Sequence, residues 1–169
     1  MAINLVRIDD RLIHGQVVEG WLRVIKANKI VVISDDLAQK ENEKILFSMA
    51  VPSDVQVSFL TIEDAVSYFE KESRKDEHIL VLVESPKTIL ELLEIGIKFE
   101  SVNVGGLHFA PGKVAVSDNL YLSREDCRIL EKIAEYKVII EGRALPNDRR
   151  LNVLEEIKKI RVFQEKTEE

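Results

Sequence analysis

The sequence predicts one α/β domain with a mainly parallel, doubly wound sheet and helices on both faces. Three observations carry that expectation. Short Val- and Ile-rich runs alternate with stretches of helical period, the pattern of crossover units. Those runs are mostly apolar on both alternating faces, as strands covered on both sides must be. No internal repeat, low-complexity linker or shift in composition divides residues 1–169, and a chain of 169 residues can bury a substantial core without staples.

In order, the first strand is expected at "INLVRI" (3–8), then a helix from Gly15 to Ala27. That helix places Val17, Val18, Trp21, Leu22, Val24 and Ile25 on one broad apolar stripe, with Trp21 in the core. "KIVVIS" (29–34) and "VQVSFL" (55–60) read as the next strands, with a helix over 37–50 between them and another over 61–73 after them. "HILVLV" (78–83) leads into a helix over 85–96, started by Ser85 before Pro86 and ended by Gly96. "SVNVGG" (101–106) is a strand. The piece 107–122 breaks the rhythm and is expected to be a loop with a short extra strand near Tyr121. A helix over 123–137, the strand "KVIIEG" (137–142) and a capped C-terminal helix with a frayed tail at 163–169 complete the chain.

Composition excludes several functions. No apolar run approaches the ~18 to 20 residues of a membrane span, and no signal peptide precedes the first strand, so a cytosolic protein is expected. The single cysteine, Cys127, rules out an internal disulfide or a multi-cysteine metal knuckle. A net charge of −6 opposes duplex nucleic acid as the main partner. No dinucleotide fingerprint, phosphate loop, nucleophile elbow or zinc-protease helix is present; "GLHFAPGK" lacks the phosphate loop's spacing and its Ser or Thr.

Chemistry concentrates after the first strand, in "RIDDRLIHGQVVEGW" (7–21). Ligands of open α/β sheets collect at strand carboxyl ends, where loops meet helix N-termini. His14 is placed there, with Gly15 permitting a tight turn into the helix. Helix-start N–H groups favour phosphate, and Arg11 offers a planar fork of donors. Asp9 or Asp10 can hold one imidazole nitrogen and leave the other as nucleophile. These parts suit a histidine that is phosphorylated and passes the group on. Asp35 and Asp36 follow the second strand on the same edge, where they either orient Arg11 or cap the helix near Leu37. Arg143, after the last strand, either borders the site or makes a plain salt bridge. His108, beyond two glycines, reads as a loop or packing residue, and His78 as surface. Read on residues alone, a receiver-like signalling module or a sugar-phosphate-binding protein also stays open.

"RIDDRLIHGQVVEGW" closely resembles the phosphorylation signature of IIB subunits in the mannose/fructose/sorbose branch of the bacterial sugar phosphotransferase system. The resemblance continues in "KIVVISDDLAQ", "VNVGGLHF", "PGKVAVSDNLYLS" and "GRALPND", and so covers nearly the whole chain. It implies a cytoplasmic phosphocarrier, peripheral at the inner face of the membrane. Such a carrier takes a phosphoryl group from a IIA domain and gives it to a sugar entering through the subunits IIC and IID. The family's phosphorylated histidine falls on His14 and its site-loop arginine and aspartate on Arg11 and Asp10, with Asp9, Gly15 and Gln16 filling the loop. No metal or other cofactor is implied. Other branches of the system use a cysteine, but Cys127 lies within a helix and reads as a small packed side chain. A chain of this length suggests a IIA on a separate polypeptide but leaves a fused IIA open, and the sugar is left unnamed because the membrane subunits would select it.

Overall fold

The computed structural model describes residues 2–70 and 76–167. Strands β1 (Ala2–Asp9), β2 (Lys29–Ile33), β3 (Gln56–Leu60), β4 (His78–Val83) and β5 (Ser101–Gly106) are followed by β6 (Val114–Ser117), β7 (Leu120–Leu122), β8 (Ile139–Gly142) and β9 (Leu151–Asn152). A π-helical segment, Gln16–Trp21, runs into α1 (Leu22–Ile25). The other helices are α2 (Asp35–Ala38), α3 (Glu41–Met49), α4 (Ile62–Glu70), α5 (Pro86–Glu94), α6 (Arg124–Glu135) and α7 (Val153–Thr167). Among the described residues one seven-stranded sheet has the order β3-β2-β4-β1-β5-β8-β9, parallel except for β9 against β8.

Alternation along the strands decides the layers. Val31, Ile33, Ile79, Val81 and Val83 pack with Ala65, Ile89, Leu92, Leu130, Ile133 and Ile157, which puts α4 to α7 on one face. Ile30, Val32, Leu80 and Leu82 pack with Leu12, Val17, Leu22 and Leu37, which puts the π-helical segment, α1 and α2 on the other. Each such fully buried branched side chain contributes roughly 1.5–3 kcal/mol. The chain leaves β1 toward β2 and leaves β5 toward β8, in opposite directions along the sheet. The crevice between the carboxyl ends of β1 and β5 is therefore the switch point where ligands of such sheets bind.

The structure refines the sequence-based outline at several points. The expected first helix opens as a π-helical segment over Gln16–Trp21, entered where the Val17 and Val18 amides share the His14 carbonyl, both at 3.0 Å. That wider winding sinks Val17 into the core and carries Val24, expected on the buried stripe, out to solvent. The helix expected over 37–50 divides at Gln39–Lys40 into α2 and α3. Ser34, not an aspartate, is the N-cap of α2, its Oγ accepting from the Leu37 amide at 3.2 Å. The extra strand near Tyr121 is half of an antiparallel hairpin, β6–β7. The capped C-terminal helix is preceded by the two-residue edge strand β9, which no propensity signalled. The backbone of α7 reaches Thr167, and residues 168–169 of the expected tail lie outside the described residues.

Candidate functional site

On β1, Val6 and Ile8 face the α4–α7 layer, so the period of two sends Arg7 and Asp9 to the other face. Both are buried, at 0% and 1% exposed. A buried guanidinium without partners costs several kcal/mol, and Arg7 has four contacts that offset this. Its Nε and Nη2 donate to Asp9 Oδ2 at 3.2 and 2.8 Å. Its Nη1 donates to Asn103 Oδ1 at 2.6 Å and to the Arg143 carbonyl at 3.0 Å. Asn103 is Arg7's register partner on β5, which explains the meeting. The last two positions of β5, Gly105 and Gly106, are glycines for a steric reason. A Cβ on Gly105 would lie inside the Arg7 guanidinium, and one on Gly106 would meet Asp9 Oδ1 at 3.2 Å.

Asp9 hands this fixed position on to His14. Its Oδ2 lies 2.9 Å from His14 Nε2, so a carboxylate there accepts the Nε2 hydrogen. His14 Nδ1 makes no hydrogen bond among the described residues, and the side chain is 14% exposed. The loop that brings it back is held at several points. Asp9 Oδ1 accepts from the Arg11 amide at 3.2 Å, and the Leu12 amide donates to the Asp9 carbonyl at 2.9 Å. Leu12 has a left-handed backbone, φ 54°, which costs a non-glycine residue roughly 1–2 kcal/mol. Burial of Leu12 and Ile13, at 4% and 5% exposed, offsets it. The tight turn expected of Gly15 is thus made at Leu12 instead: Gly15 is right-handed, φ −52°, and a Cβ on it would meet nothing within 4 Å.

Asp10 has a different partner from Asp9. Its Oδ2 accepts from the His108 amide at 2.7 Å and its Oδ1 pairs with His108 Nδ1 at 2.5 Å, while its own amide donates to the Gly106 carbonyl at 2.9 Å. His108 therefore ties the His14 loop to the segment after β5. Arg11 is exposed, with no side-chain hydrogen bond or ion pair among the described residues. The amides of Gly15 and Gln16 precede the first amides that find the His14 carbonyl. Asp35 accepts from the Ile62 amide at 2.8 Å and Asp36 pairs with Lys40 at 2.6 Å; neither bonds to Arg11. Arg143 acts through both ends. Its carbonyl receives Arg7 and Asn103, its Nη2 pairs with Glu141 at 2.9 Å, and its Nε is buried without an acceptor. Trp21 donates to the Ala144 carbonyl at 2.8 Å and lies within 5.4 Å of Arg7 Cζ and 4.8 Å of Arg143 Cζ.

Burial pushes the Asp9 carboxyl up, but the His14 hydrogen bond and the Arg7 charge outweigh it and hold it below its ordinary value. Burial likewise pulls Arg7 down against the upward pull of Asp9, and a guanidinium stays charged through such a shift. Cys127, packed at the edge of the core, has its thiol pushed up by burial, the opposite of an activated nucleophile. Among the described residues, no group of three or more His, Cys, Asp or Glu side chains is arranged to hold a metal ion. Nor is any described helix long and apolar enough to cross a membrane.

A fixed imidazole with one nitrogen held and one free, at the switch point of such a sheet, is equipped for covalent group transfer. The family model of the sorbose-subfamily IIB component of the phosphotransferase system (PTS) matches residues 3–168. The chain belongs to that family. This IIB component is 34% identical over 148 residues to the fructose-specific EIIB component of Bacillus subtilis strain 168, covering 88% of this chain and 91% of that one. It is 31% identical over 160 residues to the mannose-specific EIIAB component of Escherichia coli K12, covering 95% of this chain and 50% of that longer one. The crystal structure of the IIBSor domain of the sorbose permease of Klebsiella pneumoniae superposes with a TM-score of 0.88 at 30% identity, over 94% of this chain and 98% of that one. As an IIB component the protein is a phosphotransferase component of a sugar-uptake system.

The sequence reading passed over Arg7, Asn103 and the Arg143 carbonyl. A signal existed for the first. A charged residue inside a strand buried on both faces needs a partner, and Asp9, two positions on, shares its face. Nothing local announced Asn103 or the carbonyl, which meet Arg7 only through the sheet order.

Proposed function

We propose that His14 is the phosphorylated residue of this IIB component. It takes the phosphoryl group from a phosphohistidine on IIA and gives it to a sugar entering through IIC and IID, at the cytoplasmic face of the membrane. The observation that carries the reading is the 2.9 Å contact of Asp9 Oδ2 with His14 Nε2, which leaves Nδ1 as the nucleophile. The Nδ1 lone pair attacks phosphorus in line with the donor's nitrogen. The donor N–P bond breaks, its electron pair stays on the donor imidazole, and a new Nδ1–P bond forms. In the second transfer a sugar hydroxyl oxygen attacks, the Nδ1–P bond breaks, and the hydroxyl proton leaves to solvent.

Charge in the transition state gathers on three equatorial oxygens. Arg11 and the amides of Gly15 and Gln16 are the groups free to meet them, and the open space over Gly15 leaves room for the phosphoryl group. Asp10, through His108, keeps the loop in register with β5. Arg11 exposed to water holds phosphate only moderately, which suits a carrier that must release it. The test is phosphorylation from phosphoenolpyruvate through the general PTS components and a mannose-class IIA, read by intact mass on wild type, His14→Ala and Cys127→Ser. One alkali-stable phosphate lost only in His14→Ala is the expected result. An unphosphorylated wild type, with an active donor confirmed, overturns the reading.

A further inference from the structure

Phe109 is 71% exposed, among the most exposed large apolar side chains described. Its mounting is rigid. Leu107, two residues before, is 2% exposed, and its carbonyl accepts from the Tyr121 amide at 2.8 Å. His108, the next residue, is held to the Asp10 carboxylate by both its amide and its ring. The Phe109 ring meets Tyr121 edge to face, with centroids 5.8 Å apart at 84°. An exposed aromatic that follows two anchored residues and rests edge-on against Tyr121 loses less freedom on binding, the property of residues that dominate interfaces.

Its place relative to His14 names the partner. Asp9 holds His14 and the adjacent Asp10 holds the residue before Phe109, so the two lie on one patch. A standard interface covers about 800 Å² on each partner, so a docking protein reaches beyond the His14 loop onto its neighbours. In-line transfer between two histidines brings the donor's surface against the rim of the His14 loop. A sugar hydroxyl makes no such demand, since it needs only an opening. We infer that Phe109, backed by Tyr121, is the anchor that docks the phosphodonor protein, filling an apolar depression beside the donor's phosphohistidine. The unpaired Arg11 on the same loop favours an acidic rim on that partner. The inference rests on the functional reading above and adds the surface by which the donor is gripped.

Initial rates of phosphoryl transfer, measured against the concentration of phosphorylated mannose-class IIA, test it with the full chain. Phe109→Ala is expected to raise KM about tenfold with turnover within about twofold, and Phe109→Trp to restore wild-type KM. Met49→Ala, at a side chain 78% exposed on α3, is the control and is expected to change neither. Circular dichroism and melting confirm that each variant is folded. An unchanged KM in Phe109→Ala, an equal rise in Met49→Ala, or a defect confined to the sugar-transfer step overturns the anchor. A wild type that takes no phosphate overturns the functional reading, and the anchor with it.

Discussion

Asp9 concentrates the electrostatics of the site on one oxygen, since Oδ2 serves both Arg7 nitrogens and His14 Nε2. Replacing it by asparagine leaves a buried guanidinium without its counter-charge. Asp9→Asn is expected to lower stability by about 3–5 kcal/mol in urea titrations near neutrality. The pH dependence has a definite sign. The folded Asp9 carboxyl titrates below its unfolded value of about 3.9, so its contribution is complete above about pH 4. It is lost as pH falls through the lower folded value. The stability gap between wild type and Asp9→Asn therefore narrows below pH 4, and a gap unchanged at pH 3 counts against this account. Residue types and spacing alone placed His14, Arg11 and both aspartates together at the end of the first strand, while their specific roles came only from the family resemblance. Which aspartate faces His14 was not legible, because Asp9 and Asp10 are adjacent and only the buried face of β1 separates their roles.

Strong, repetitive signals marked the elements, and their ends were set by particular side chains. The helix expected over 123–137 becomes α6, and a complete capping box begins it. Ser123 Oγ accepts from the Asp126 amide at 3.0 Å, while Asp126 Oδ2 accepts from the Ser123 amide at 2.9 Å. Ser123→Ala is expected to destabilise the protein by about 1 kcal/mol, measured by thermal or urea unfolding, and a neutral effect contradicts the role of the box. Two of the departures from the sequence outline share one cause. At the π-helical segment and at β9, a distant partner fixes the backbone: Trp21 reaches Ala144, and Leu151 pairs with Gly142. Hydrophobic period within a single segment contains no trace of such partners. The break before α3 is local, where the Gln39 and Lys40 amides turn back to the Asp36 and Leu37 carbonyls.

For the molecule as a whole, the single tryptophan, Trp21, stands beside both Arg7 and Arg143 and reports on the network that joins the two ends of the chain. If the sheet is one cooperative unit, Trp21 fluorescence and far-ultraviolet circular dichroism follow the same urea transition. Separate midpoints contradict that picture. The doubly wound class was readable because buried parallel strands announce themselves by composition; the order of the strands was not. That order also has a bearing on how the protein is made. β1 precedes the other strands of the sheet along the chain but sits in the middle of it, between β4 and β5, with its arginine seated on Asn103 and on the carbonyl of Arg143. Contacts between such distant parts of the chain slow folding. On the ribosome, His14 emerges early yet lacks its finished surroundings until residue 143 has followed it out, so a nascent or truncated chain carries the histidine without the site.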